Sequence, residues 1–113
     1  MSTSEWSRQA LQRIATELEQ FAPVEVGTMF RSPGIRTGST IVAFLGSADR
    51  LIVKLPRARA VELVERGRVE FVTMGARTMR EWVAVPASAD PASTEAEWLS
   101  FAREALQYVR HPD

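Results

Sequence analysis

The chain of 113 residues has no cysteine, one histidine, one lysine and one tyrosine. Without cysteine there is no disulfide, no thiolate zinc site and no thiol nucleophile. With His111 as the only imidazole, the common His-based metal sets and acid–base pairs cannot be assembled. An excess of charge is missing too. Fourteen basic and 14 acidic side chains cancel, so no global field points to nucleic acid or to an anionic membrane. Glu and Arg break every apolar run well short of a membrane span, and the opening MSTSEWSRQA has no apolar stretch of the signal-peptide kind. A cytoplasmic address without membrane contact is the expectation. What is present is ordinary globular usage, 45% hydrophobic and 25% charged, with six Gly and six Pro. That length suits one domain, 1–113, with a real core and no need of staples.

Hydrophobic periodicity divides the chain. Trp6, Ala10, Ile14, Leu18 and Phe21 recur at spacings of four and three, which predicts an amphipathic helix from about Glu5 to Phe21. Ser2 with Glu5 fits a capping box, Ser4 is an alternative cap, and Pro23 ends the helix. From Val24 the period becomes two, with Val24, Val26, Thr28 and Phe30 on one face of a strand. Ser32-Pro33-Gly34 reads as a turn, Ile35–Thr37 as a short strand and Gly38-Ser39 as a second turn. Thr40–Leu45 and Arg50–Leu55 then form a hairpin across Gly46-Ser47-Ala48-Asp49. In its second strand Leu51, Val53 and Leu55 share a core face, while Arg50, Ile52 and Lys54 share the other.

Pro56 opens a second helix at its first position, and Gly67 closes it as the residue past the cap. Ala60, Val61 and Val64 supply its apolar stripe, with Leu63 at the margin. Val69–Thr73 and Met79–Val85 read as strands around Gly75-Ala76-Arg77. A polar loop, Ala87–Ser93, precedes a third helix starting near Thr94, which forms a capping box with Glu97. Trp98, Phe101, Ala102, Ala105 and Val109 line its buried face, Leu106 lies alongside, and the Arg110–Asp113 tail frays. The expected fold is α+β in two layers: three helices on an antiparallel sheet of five to six strands, in the order α-β-β-β-α-β-β-α, with a fourth strand possible before the second helix.

The run Met29-Phe30-Arg31-Ser32-Pro33-Gly34-Ile35, followed by Gly38, Val42-Ala43-Phe44-Leu45 and Leu51-Ile52-Val53-Lys54-Leu55, resembles the TfoX N-terminal domain family and its YjbR/MmcQ-type relatives. Val61-Glu62-Leu63-Val64, Gly67, Met79-Arg80-Glu81-Trp82-Val83 and the Trp98–Tyr108 segment agree with it, so the likeness spans roughly Val24 to Val109. Arg31 departs from the family, which commonly has Gly after Met-Phe. The resemblance implies a fold similar to type III secretion chaperones, no established catalytic residues and no cofactor. In the name-giving family the domain belongs to a competence regulator with a second, helical domain, which has no counterpart in 1–113. YjbR-type members are often described as DNA-binding.

Residue chemistry offers no catalytic set. No nucleophile has an adjacent base, no Gly-rich phosphate loop exists, and Glu62 and Glu65 read as a solvated helix face with Arg59 and Arg66. Charge, however, is uneven: 1–49 carry net −1, 50–85 net +4 and 86–113 net −3. Arg57 and Arg59 fall in the first turn of the second helix, where the helix dipole prefers acid. With Lys54, Arg77 and Arg80 they form a candidate anion or nucleic-acid contact. Ile52 and Trp82 are the candidate interface residues, exposed beside Arg50, Lys54 and Arg80 if all helices cover one sheet face. The expected function is therefore a non-enzymatic regulatory module that acts through protein contacts, as a homodimer. DNA binding through the basic middle block is the alternative.

Overall fold

In the computed structural model, which describes residues 4–29, 32–46, 48–74, 76–88 and 90–111, three helices lie on one face of a six-stranded antiparallel sheet. The elements are α1 (Glu5–Leu18), β1 (Glu25–Met29), β2 (Ser32–Thr37), β3 (Thr40–Gly46), β4 (Arg50–Lys54), α2 (Arg57–Glu65), β5 (Glu70–Met74), β6 (Arg77–Val85) and α3 (Pro91–Arg110). The fold is α+β as the periodicity predicts, with four strands before α2. In the sheet the order is β1-β2-β3-β4-β6-β5. The α2 crossover carries the chain past one strand position, and β6 returns to fill it. Among the described residues no helix is long and apolar enough to cross a membrane.

The core is one cluster between sheet and helices. Ala10, Leu11, Ile14 and Leu18 of α1 and Trp98, Phe101, Ala102, Ala105 and Leu106 of α3 meet Ile35, Leu45, Leu51, Val53, Leu55, Val83 and Val85. Trp98 is wholly buried, tilts against Trp6 at a ring-centroid distance of 5.5 Å, and donates its indole N–H to the Val85 carbonyl at 3.1 Å. That bond satisfies the one polar atom of a large apolar side chain.

Several expected boundaries shift for physical reasons. Helix α1 stops at Leu18, so Phe21 lies beyond it and is 47% exposed rather than in the stripe. Ser4 caps α1, its Oγ accepting from the Ser7 amide at 3.2 Å; Ser2 lies outside the described residues. The expected turn at Ser32-Pro33-Gly34 is instead the start of β2, paired with Met29, Thr28 and Gly27. Pro33 is tolerated there because pairing with β3 begins only at Gly34, so no second neighbour asks for its missing N–H. Met29 pairs directly with Ser32; Phe30 and Arg31 lie outside the described residues, as do Ser47, Gly75, Pro112 and Asp113.

A register shift between Ile35 and Arg36 inserts a bulge in β3, and both Val42 and Ala43 therefore face the core. Pro56 caps α2 from outside with extended backbone (φ −56°, ψ 144°), so the first helical residue is Arg57. Leu63, expected at the margin, is buried with Ala60, while Val61 is half-exposed. Gly67 (φ 75°) closes α2 as expected, with the Gly67 and Arg68 amides donating to the Val64 and Leu63 carbonyls. Helix α3 begins at Pro91 rather than near Thr94. Asp90 is the cap, accepting from the Ser93 amide at 2.9 Å, and Pro at the first turn needs no N–H partner. Thr94 is buried inside that turn, where its hydroxyl accepts from the Ser88 amide at 2.8 Å and holds the incoming loop.

The β3–β4 hairpin is tied to α1. Ala48 and Asp49 both take left-handed backbone (φ 59° and 53°), which costs free energy for Ala. The Asp49 carboxylate offsets that cost by accepting from the Ser4 amide at 3.0 Å and the Ser7 hydroxyl at 2.9 Å. These bonds hold its pKa below the usual carboxylate range.

Candidate anion-binding groove at the end of the sheet

With every helix on one side, the other side of the sheet is formed by side chains alone. Strand register places one row across it: Gly27, Gly34, Phe44, Ile52, Ala84 and Glu70 are successive cross-strand partners. Ile52 was expected to be open here, yet it is only 7% exposed. The reason is Gly46: a Cβ at that position would lie 2.7 Å from Ile52 Cδ1, so the missing side chain leaves the space into which Ile52 packs. Arg50 on β4 reaches across β6 to Glu70 on β5 at 2.9 Å, over the buried Ala84. This part of the face is sealed by its own residues.

Where β4 ends, a groove of about 380 Å³ opens at the margin between the two faces, lined by Lys54 and Trp82 from the uncovered face, by Arg57 at the start of α2 and by Arg77 and Arg80, with Glu81 at its wall. Lys54 ends β4 and is the register partner of Trp82 on β6. Pro56 turns the chain so that Arg57 stands at the start of α2, on the same rim. Arg77 and Arg80 come from the first half of β6, so four of the five sequence-predicted cations share one site. The Lys54 ammonium sits 5.8 Å from the Trp82 ring centroid, and Phe44 tilts against the same indole at 5.7 Å. Arg80 lies 5.6 Å from the Phe71 ring. Trp82 is half-buried and lies outside the core cluster.

Arg59 is not part of the groove. Its guanidinium turns to α3, bonding Glu104 at 2.9 Å and Glu62 at 2.8 Å, and these carboxylates push its pKa up. The first-turn cation at this position is thus neutralised, which corrects its expected role. Glu62 takes Arg66 as well, at 3.4 Å, so that carboxylate belongs to a surface ion-pair network. Ten of the 14 basic residues fall into two groups by carboxylate pairing. Arg13, Arg36, Arg50, Arg59, Arg66 and Arg68 each hold a carboxylate. Among the described residues, Lys54, Arg57, Arg77 and Arg80 form no such pair. Glu81, the one acid at the groove, accepts from the Tyr108 hydroxyl at 2.9 Å, which draws it toward α3 and raises the tyrosine pKa.

A second depression, of about 460 Å³, lies where Phe21 meets the end of α3. Its two cations also hold no carboxylate among the described residues; Arg103 stacks 4.7 Å from the Phe21 ring centroid and Arg110 donates to the Phe21 carbonyl at 3.0 Å. Among the described residues no three side chains converge as metal ligands, and no buried side-chain nitrogen or oxygen lacks a hydrogen bond. The groove therefore presents fixed positive charge around an aromatic ring. That arrangement suits binding of a phosphate-bearing ligand.

Phe44 as a groove neighbour went unnoticed in the sequence. Its signal is the hairpin register: Gly46 opposite Arg50 puts Phe44 opposite Ile52, on the face that Trp82 shares. No protein-family profile, curated protein or solved structure matches the chain. The candidate site rests on its own geometry.

Proposed function

We propose that this protein is a small non-enzymatic regulatory module, of the TfoX N-terminal and YjbR kind that its sequence resembles, and that it binds nucleic acid through the Lys54–Arg57–Arg77–Arg80 groove. The observation that carries this reading is the segregation of charge. In a protein with no net charge, six arginines among the described residues hold carboxylates, and four of the cations that hold none line one depression. Four like charges held together repel one another, and a polyanion relieves that repulsion while releasing its own counterions. Glu81, the one acid in the lining, offsets at most one of the four charges. The self-sealed packing of Ile52 weighs against the alternative, a homodimer built on that face.

Fluorescence anisotropy of labelled oligonucleotides, single-stranded and duplex, at two salt concentrations tests the reading. Four phosphate contacts predict a log–log salt slope of about −3 to −4. Arg57→Glu with Arg77→Glu should flatten it by about half. No binding of either form tighter than about 10⁻⁴ M at low salt refutes the proposal.

A further inference from the structure

We infer that the groove takes single-stranded rather than duplex nucleic acid, with one base stacked on the Trp82 indole between two sets of phosphate-binding cations. This rests on the nucleic-acid reading above and specifies its ligand. Size is the first argument. A depression of about 380 Å³ lies at the small end of sites that hold a single small ligand, so a base and its flanking phosphates fit where a duplex does not. Shape is the second. Duplex readers insert a helix or a ribbon into the major groove, whereas here the binding surface is concave and its floor is sheet.

The third argument is the placement of the ring. Lys54 and Arg57 stand at the junction of β4 and α2, Arg77 and Arg80 along β6, and Trp82 at the far end of that stretch of β6. From Arg77 to Trp82 the chain spans at most about 17 Å, less where β6 bulges between Met79 and Val83, room for a few nucleotides of single strand. The indole is not core: it is half-buried, supported from the side by Phe44 at 5.7 Å and topped by the Lys54 ammonium at 5.8 Å. A cation over an aromatic ring occupies the place of a stacked base. An incoming phosphate draws the ammonium aside and leaves the ring face to the base. A paired base inside a duplex has no free face to offer, so the aromatic floor favours only a single strand.

The probes are a twelve-nucleotide thymidine oligomer, a hairpin duplex with equal phosphate content, and inorganic polyphosphate as a base-free polyanion. Anisotropy competition reads affinity and tryptophan emission reads stacking. The thymidine oligomer should bind more tightly than the duplex and quench part of the emission, and polyphosphate should compete without quenching. Trp82→Phe should abolish the quenching while keeping affinity within about threefold, because a phenyl ring still stacks. Trp82→Ala should weaken the oligomer about tenfold and leave polyphosphate unchanged. Quenching that persists in Trp82→Phe, or equal binding of oligomer and duplex by the wild type, overturns the stacking inference and leaves nucleic-acid binding intact. Failure of all three probes to bind removes both.

Discussion

Replacing Trp98 by Ala is the most severe test of the packing that holds the sheet beneath the helices. The side chain is wholly buried, lies against Trp6, and carries the hydrogen bond to the Val85 carbonyl. Removing a core indole costs about 3–5 kcal/mol in lost transfer energy and cavity. The Val85 carbonyl stays in the ladder opposite Leu51, so loss of the indole N–H adds only about 1 kcal/mol. A combined loss of about 4–6 kcal/mol is expected. For a chain of this length the unfolding entropy is about 0.24 kcal/mol per kelvin, so the melting temperature should fall by about 15–25 °C. Total stability at this size is about 6–17 kcal/mol, which leaves the variant folded or marginal in the cold. Trp98→Phe provides a milder arm: it keeps a ring against Trp6 but loses the N–H, and about 1–3 kcal/mol should go. Urea unfolding followed by circular dichroism measures both. A loss below about 1 kcal/mol for Trp98→Ala would mean that α3 does not dock as described.

Asp49→Asn should destabilise the protein by about 0.5–1 kcal/mol near neutral pH, a modest figure because the carboxylate is partly solvated. Because the folded-state pKa of Asp49 is depressed by the Ser4 and Ser7 bonds, its contribution is complete above about pH 4 and is lost as pH falls through the folded value. Urea midpoints of wild type and variant should therefore converge as pH is lowered below about 4; a gap independent of pH contradicts the assignment. Tyr108 is the only tyrosine, so ultraviolet titration reads its phenol directly, and the midpoint should lie above the usual value of about 10 and return toward it in Glu81→Gln. Arg59→Ala should cost about 0.5–1 kcal/mol through the lost Glu104 and Glu62 pairs yet leave oligonucleotide affinity unchanged; weakened binding would return Arg59 to the groove.

Features set by local period were legible in the sequence. The α1 stripe, the alternation in β4 and the glycine after α2 depend on residues a few positions apart, and each is present. Where a local signal had a distant competitor, the competitor won. Pro33-Gly34 is good turn chemistry, but pairing with β1 stabilises an extended backbone there. Thr94 with Glu97 is a credible cap, but Asp90 followed by Pro91 forms the better one and leaves Thr94 to be buried. The groove was half legible. A basic block between residues 50 and 85 is visible in the sequence, as is Trp82 beside Arg80. The loss of Arg59 to Glu104, 45 positions away, and the burial of Ile52 against the bare Gly46 appear only once helices and register are set.

The bond between Ser4 and Asp49 bears on the order of events during synthesis. The amide that closes the start of α1 finds its partner 45 residues later, in the turn of the β3–β4 hairpin. At about 5–20 residues per second, a ribosome needs some seconds to deliver that turn after α1 has emerged. Until then α1 has its own serine cap but neither the Asp49 clasp nor a sheet to lie on, and a helix of 14 residues alone is marginal in water. The hairpin, closed by its own short loop, is the unit able to form first. The nascent N-terminal segment should gain a first protection on stalled ribosomes once residue 54 has cleared the exit tunnel, and a second when α3, whose Trp98 meets Trp6, has followed.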